Sequence, residues 1–328
     1  MTKVSEISEF DLIARLETVL EQNVTPNAES KIQVAIGDDA AVVEIKPGHQ
    51  LVTATDVIAL GTHYPEGIDP KSIGYRCLAV NLSDIAAMGA TPLWANLIVS
   101  LPTVKLDWIN KFIEGFATIA NRFNVALVGG DTICGPEFFA VSLQGVVYED
   151  QYISRSGAQV DDLIYVSGLL GDASYGLKII KDKTVTKGNQ LLIDKFLYPN
   201  PRVEEAKTIS LFASSMIDLS DGLYSDLVKI MSESSVGAEV DVSKLPISAL
   251  LSDQLSEEAA INQALLGGDD YELCFTLPAD REMEFLEANQ SISDPLFTCI
   301  GKIREGSDLK LFDGKQDFVI SEKPYNHF

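Results

Sequence analysis

The chain has 328 residues, 46% of them hydrophobic, and its 48 acidic against 25 basic side chains give a formal charge of -23. That length predicts roughly two domains, each with a core of its own, and the acidity argues against a protein that works by neutralising nucleic-acid phosphates. Anionic substrates would need metal ions as go-betweens, while most of the acids read as a solvating surface.

Residues 8–22 carry Leu12, Ile13, Leu16, Val19 and Leu20 at helical spacing, with Ser8 and Asp11 placed as a capping box. Strand-like runs follow over 31–36, 40–45 and 51–55, the last ending on Asp56. Asp69-Pro70 opens a long helix that Gly89 closes, because proline suits a first helical turn and glycine the position past the end. Residues 93–101 read as strand, 108–123 as helix, and 125–128 and 138–148 as strands. The polar stretch 149–162 marks the expected domain boundary, giving domains 1–148 and 149–328. Beyond it come strand 163–167, helix 173–181, a break at Pro199-Asn200-Pro201, helix 203–213, strand 215–219, helix 223–232, strand 271–277, helix 280–289 and strand 297–300. The expected fold class is α/β (α+β), two domains that each pack helices on a mixed sheet.

Cys77, Cys134, Cys274 and Cys299 are far apart in apolar contexts and read as reduced core thiols, with no zinc spacing. His49 falls in a turn after Pro47-Gly48. Residues 1–8 are polar and lack a signal-peptide pattern, and no apolar stretch approaches a membrane span, so a cytoplasmic protein is expected.

Two aspartate pairs follow glycine, Gly37-Asp38-Asp39 and Gly267-Gly268-Asp269-Asp270, with Asp56, Asp84, Asp131, Asp218 and Asp221 between them. Most stand where an apolar run stops. A carboxylate at the tip of a buried strand is unfavourable unless something positive meets it, and Mg²⁺ takes carboxylate oxygens while leaving room for phosphates. The pattern therefore predicts a polymetal phosphate site. Residues 78–89 are apolar on nearly every helical face, which buries Asn81 and Asp84 on a shared side. Asp84 could instead cap a neighbouring turn, and Asp56 could merely initiate one. Gly129-Gly130-Asp131-Thr132 would let backbone N–H groups approach a phosphate, although most Gly-Gly pairs are ordinary turns. Asp218, Ser220 and Asp221 sit at a strand-to-helix junction that favours anions, where Asp221 could equally be an N-cap. Arg155 is the best candidate guanidinium against a default of surface residue, and His63 the best candidate imidazole against a partly buried loop histidine. No P-loop, dinucleotide fingerprint or protein-kinase motif set is present.

Gly37-Asp38-Asp39-Ala40-Ala41, residues 78–90, Gly129-Gly130-Asp131-Thr132, residues 218–223 and residues 267–275 occur in an order that resembles the thiamine-monophosphate kinases. These belong to a superfamily with aminoimidazole ribonucleotide synthetase and selenophosphate synthetase. The resemblance implies ATP-dependent phosphorylation of thiamine monophosphate to thiamine diphosphate without a protein nucleophile. It implies Mg²⁺ ligands at Asp39, Thr55, Asp56, Asp84, Asp131, Asp218 and Asp221, ATP contacts at Gly130, Asp131, Arg155 and Ser220, and substrate contacts at His63, Asp269 and Tyr325. It further implies that residues 1–148 form the metal- and ATP-binding domain and join their sheet to that of a mate in a homodimer. Two positions depart from the family: Ala54 stands where serine is common, and Asp269 where glutamate is common. A superfamily enzyme that activates an amide or selenide lacks support, since the chain has no reactive N-terminal cysteine or glycine-rich N-terminal loop. A passive cation-binding module lacks calcium-loop spacing.

Overall fold

Antiparallel pairing between β3 (His49–Ala59) and β6 (Phe138–Tyr148) runs in unbroken register from His49 opposite Tyr148 to Ala59 opposite Phe138. It anchors the first of two units in the computed structural model, which describes residues 8, 11–16, 29–289, 297–314 and 316–320. The first unit comprises Met1–Ile85 and Ala90–Asp150, the second Ala86–Gly89 and Gln151–Phe328.

In the first unit the sheet order is β3-β6-β4-β5, with β4 at Thr91–Leu101 and β5 at Ala126–Cys134. β4 and β5 are parallel, a pairing that needs a crossover, and α3 (Leu106–Arg122) supplies it. The buried stripe of α3, with Ile109, Phe112, Ile113, Phe116 and Ile119, packs inward, and the Phe112 and Phe139 rings stack at 4.4 Å. α2 (Pro70–Ala87) is buried over most of its surface and meets α3 at two glycines. A Cβ on Gly115 would lie 1.8 Å from the Lys71 carbonyl oxygen, and one on Gly74 2.0 Å from that of Phe112, so the backbones touch only because both side chains are absent. Hairpin β1 (Ser30–Val34) and β2 (Val42–Ile45) lays Val43 and Ile45 against Trp94, Ala126 and Val146. Within residues 11–16, which form helix α1, the expected capping box is made: Asp11 N–H donates to Ser8 Oγ and Ser8 N–H to Asp11 Oδ2, both at 3.2 Å.

The second unit holds a seven-stranded sheet, whose order is β13-β12-β9-β11-β7-β10-β8. Its strands are β7 (Leu163–Ser167), β8 (Ser215–Asp218), β9 (Gly237–Asp241), β10 (Leu273–Leu277), β11 (Phe297–Arg304), β12 (Leu309–Asp313) and β13 (Gln316–Asp317). Among the described residues of this unit only β9 and β12 pair in parallel. Around it stand α4 (Asp172–Asp182), α5 (Gln190–Leu197), α6 (Val203–Ile209), α7 (Leu223–Ser234), α8 (Ala249–Ser252), α9 (Glu257–Leu266) and α10 (Glu282–Ala288). Strand alternation sends Val166, Ile217 and Cys274 into a core with Leu227 and Ile230 of α7 and Ile261 and Leu265 of α9. It sends Tyr165 and Phe275 the other way, onto Phe285 of α10.

Both units thus pack helices on mixed sheets, as the sequence pattern implied. Several details differ. β3 continues three residues past Asp56 and β5 runs through Gly129-Gly130-Asp131, because partner strands continue to pair them. Asp56 and Asp131 therefore stand within strands and not at their tips. The helix expected over 203–213 stops at Ile209, and α5, α8, α9, β9, β12 and β13 join the elements that were expected. All four cysteines are free thiols; Cys77 and Cys274 are buried, but Cys134, the last residue of edge strand β5, is exposed. Among the described residues no helix is long and apolar enough to cross a membrane.

Candidate active site

In the first unit Asp56 and Asp84 come into contact. β3 supplies Asp56, whose backbone N–H donates to Asn81 Oδ1 at 3.1 Å, and Asn81 in turn donates to the Cys77 carbonyl one helical turn back at 3.2 Å. This ties the strand to α2, and Asp84, one turn beyond Asn81, hydrogen-bonds the Asp56 carboxyl. Burial pushes the pKa of Asp56 up, while the Asp84 hydrogen bond and the nearby His63 pull it back. Two carboxyl groups in contact must share a proton or receive a cation. Hard oxygen donors suit Mg²⁺, which fills its remaining positions with water and phosphate oxygens. No group of three or more His, Cys, Asp or Glu gathers at ligand distance among the described residues, so the fit to a divalent ion rests on this pair.

Other expected residues of this unit lie around the sheet. Alternation along β3 turns Thr55 away from Asp56, and its hydroxyl donates to Ser142 Oγ at 3.1 Å on the exposed face. Asp131 is exposed at the register position opposite Ile98, and its Oδ1 accepts the Thr132 N–H at 2.8 Å. A Cβ on Gly130 would meet the Leu97 carbonyl oxygen at 1.9 Å, so the bare backbone is required beside β4. Asp39 is exposed in the turn before β2. His63 Nδ1 accepts the Ala59 N–H at 3.0 Å, which places the proton of a neutral ring on Nε2.

In the second unit two turns lie back to back. The Ser220 carbonyl accepts the Asp269 N–H at 3.0 Å, and the Leu219 carbonyl accepts the Tyr271 N–H at 2.9 Å. Asp269 (φ 69°) and Tyr271 (φ 51°) both occupy the left-handed region, a strain for residues with side chains. Two carboxyl side chains hold this turn in place. Asp270 accepts N–H groups of Gly171 (2.7 Å) and Ala173 (3.3 Å) at the start of α4. Burial drives its pKa well above the carboxylate range, and those amides offset part of the rise. Glu272 receives Arg202 through Nε (2.6 Å) and Nη2 (2.8 Å), together with Ser167 Oγ (2.6 Å).

Asp218 is buried at the end of β8. Asp221 does not cap α7, whose N-cap is Gly222; its carboxylate pairs with Lys229 Nζ at 2.7 Å. Arg155 is exposed, with its carbonyl accepting from Ser234 Oγ at 3.3 Å. Tyr325 lies outside the described residues. Sequence reasoning missed Asp226 and Lys229, although their spacing of three on a helix was a usable signal, and it missed Arg202 and Glu272, whose separation of seventy gives none.

Residues 37–147 match the family model described as AIR synthase related protein, N-terminal domain. The thiamine-monophosphate kinase of Haemophilus influenzae is 38% identical over 328 residues, covering 98% of each chain. The crystal structure of thiamine-monophosphate kinase from Stenotrophomonas maltophilia superposes with a TM-score of 0.85 at 38% identity, over 93% of this chain and 96% of that one. AaThiL complexed with AMPPCP and TMP gives a TM-score of 0.77 at 30% identity, over 100% and 99%. Likeness of this extent over nearly the whole length settles the kinship: the chain belongs to the thiamine-monophosphate kinase family.

Proposed function

We propose that this protein transfers the γ-phosphoryl group of ATP directly to thiamine monophosphate, giving thiamine diphosphate, with Mg²⁺ bound at its carboxylates. One observation carries the reading: the contact between Asp56 of β3 and Asp84 of α2, which a divalent cation would satisfy in place of a shared proton. The AaThiL complex with AMPPCP and TMP supports both substrates by kinship. Asp56 and Asp84 would hold Mg²⁺ in the first unit, with Asp39, Thr55 and Asp131 there and Asp218 in the second unit as the further ligands that the family resemblance implies. Bound there, the ions would supply neutralisation of the charge on the transferred group.

The chain's own groups bind and orient. Gly130 would meet a phosphate of ATP through its backbone, and the exposed Arg155 offers a guanidinium fork to another. Ser220 adds a hydroxyl at the head of α7. His63 presents Nε2–H to the acceptor phosphate, Asp269 sets a carboxylate against the cationic thiazolium, and Tyr325 offers a ring for stacking. The substrate phosphate oxygen is already anionic, so alignment of two anions suffices and no phosphoenzyme forms. The protein would work in the cytoplasm, and the family resemblance implies a homodimer joined through the sheets of its first unit.

Asp56→Asn and Asp84→Asn test the reading separately. Each is expected to lower kcat by at least about 100-fold while the far-ultraviolet circular dichroism stays that of the wild type. Near-normal turnover in either variant would remove that residue from the site.

A further inference from the structure

Lys229 Nζ lies 2.7 Å from Asp221 Oδ2 and 2.7 Å from Asp226 Oδ1. Asp226 is fully buried, and its second oxygen accepts the Asp221 backbone N–H at 3.0 Å. Asp226 and Lys229 are three apart on α7, so helix geometry tethers the ammonium to that carboxylate. If Lys229 withdrew, Asp226 would either remain as a buried charge without a counter-ion or have to take up a proton, so the ammonium is held in place by the carboxylate it neutralises. Asp221 therefore faces a resident cation. A divalent ion on the same carboxylate would sit within a few ångströms of the ammonium and be repelled by it.

We propose that Lys229 is the counter-cation of Asp221 in place of a divalent ion, so that Asp221 is a positioning residue and not a metal ligand in this chain. The inference rests on the Mg²⁺-dependent reading above and departs from the ligand set that the family resemblance implies. What Asp221 positions is visible in its neighbours. Its N–H is fixed by Asp226 and its carboxylate by Lys229, and the preceding residue, Ser220, holds the Asp269 N–H through its carbonyl. The Asp221–Asp226–Lys229 triad thus locks the β8–α7 junction on which the turn at Asp269 leans.

The test counts Mn²⁺ bound per chain, by electron paramagnetic resonance titration of the full-length protein with AMPPCP. Wild type is compared with Asp221→Asn, Asp56→Asn and the double variant Asp226→Asn/Lys229→Met, which removes the buried charge together with its counter-ion. Asp221→Asn is expected to bind the wild-type number of ions with affinities within about threefold. The double variant, with Asp221 freed, is expected to gain one ion or to bind Mn²⁺ at least about tenfold more tightly. One ion fewer in Asp221→Asn overturns the proposal, as does the absence of any gain in a folded double variant. If the double variant does not fold, the Asp221→Asn count decides alone. Asp56→Asn reports on the underlying reading: an unchanged count there sinks the Mg²⁺ assignment at Asp56, and the double variant still decides the role of Lys229.

Discussion

Arg202→Met removes the cation that neutralises Glu272. Side-chain exposures of 13% and 6% place this bidentate pair inside the second unit, where solvent screens it little. Burial disfavours the Arg202 charge, but Glu272 and then Glu205 outweigh it and hold the guanidinium pKa above its usual value. A raised basic group contributes stability at every pH below its unfolded pKa, so the pair acts undiminished at neutral pH. With methionine there, Glu272 keeps Ser167 Oγ but loses both guanidinium hydrogen bonds. Leaving one partner of a buried pair alone costs about 3–5 kcal/mol. With a urea m-value of about 2–3 kcal/mol/M, the midpoint should fall by roughly 1–2.5 M. Adding Glu272→Gln should recover part of the loss, and the double-mutant cycle should show a coupling of about 2 kcal/mol. Because Glu272 closes the strained turn at Asp269, Arg202→Met is also expected to raise KM for thiamine monophosphate more than KM for ATP. A midpoint shift under about 0.3 M, or additive effects, would refute the buried-pair reasoning.

Two further substitutions probe each unit by itself. Asp172, only 4% exposed, accepts the Ser248 hydroxyl at 2.6 Å, and burial raises its pKa against the opposing hydrogen bond and Lys195. The folded state then keeps a proton that the unfolded state has released, so wild-type stability declines as pH rises from the ordinary carboxylate pKa to the raised one. Asp172→Asn should lose that slope and gain on wild type across the window, in urea midpoints taken from about pH 3 to 7; a pH-independent difference would contradict it. Gly115→Ala drives a Cβ to 1.8 Å from the Lys71 carbonyl, backbone against backbone, and should destabilise the α2–α3 crossing by about 3 kcal/mol or more. Gly188→Ala, with its nearest atom at 3.8 Å, serves as the control; equal effects on thermal stability would refute the close-approach argument.

Local chemistry made much of the fold legible. Strands 138–148 and 163–167 match β6 and β7 to the residue, since polar turn residues bound both apolar runs. Pro70 and Gly89 (φ 68°) likewise delimited α2. Asp56 misled because an acid interrupts the apolar run, whereas strand length is set by the eleven partners that β6 provides and the acid is accommodated by Asp84. α9 was missed although Ser256 caps it through the Ala259 N–H, a signal present in Ser256-Glu257-Glu258. β9 gave no such clue, because its pairing with β12 and β11 comes from distant segments. Within the site, each carboxylate could be picked out singly by its apolar setting. Their contacts depend on the fold: Asp56 meets Asp84 only because Asn81 pins β3 to α2, and Asp221 meets Lys229 only once α7 has formed.

Product formation tests the central claim most directly. Purified protein is incubated with ATP, Mg²⁺ and thiamine monophosphate, with thiamine alone and no acceptor in parallel, and thiamine diphosphate and ADP are quantified by chromatography. The expected result is equal amounts of the two products with thiamine monophosphate and neither above background in the parallel reactions. ADP release that ignores the acceptor, or no thiamine diphosphate at any Mg²⁺ concentration, would contradict the account.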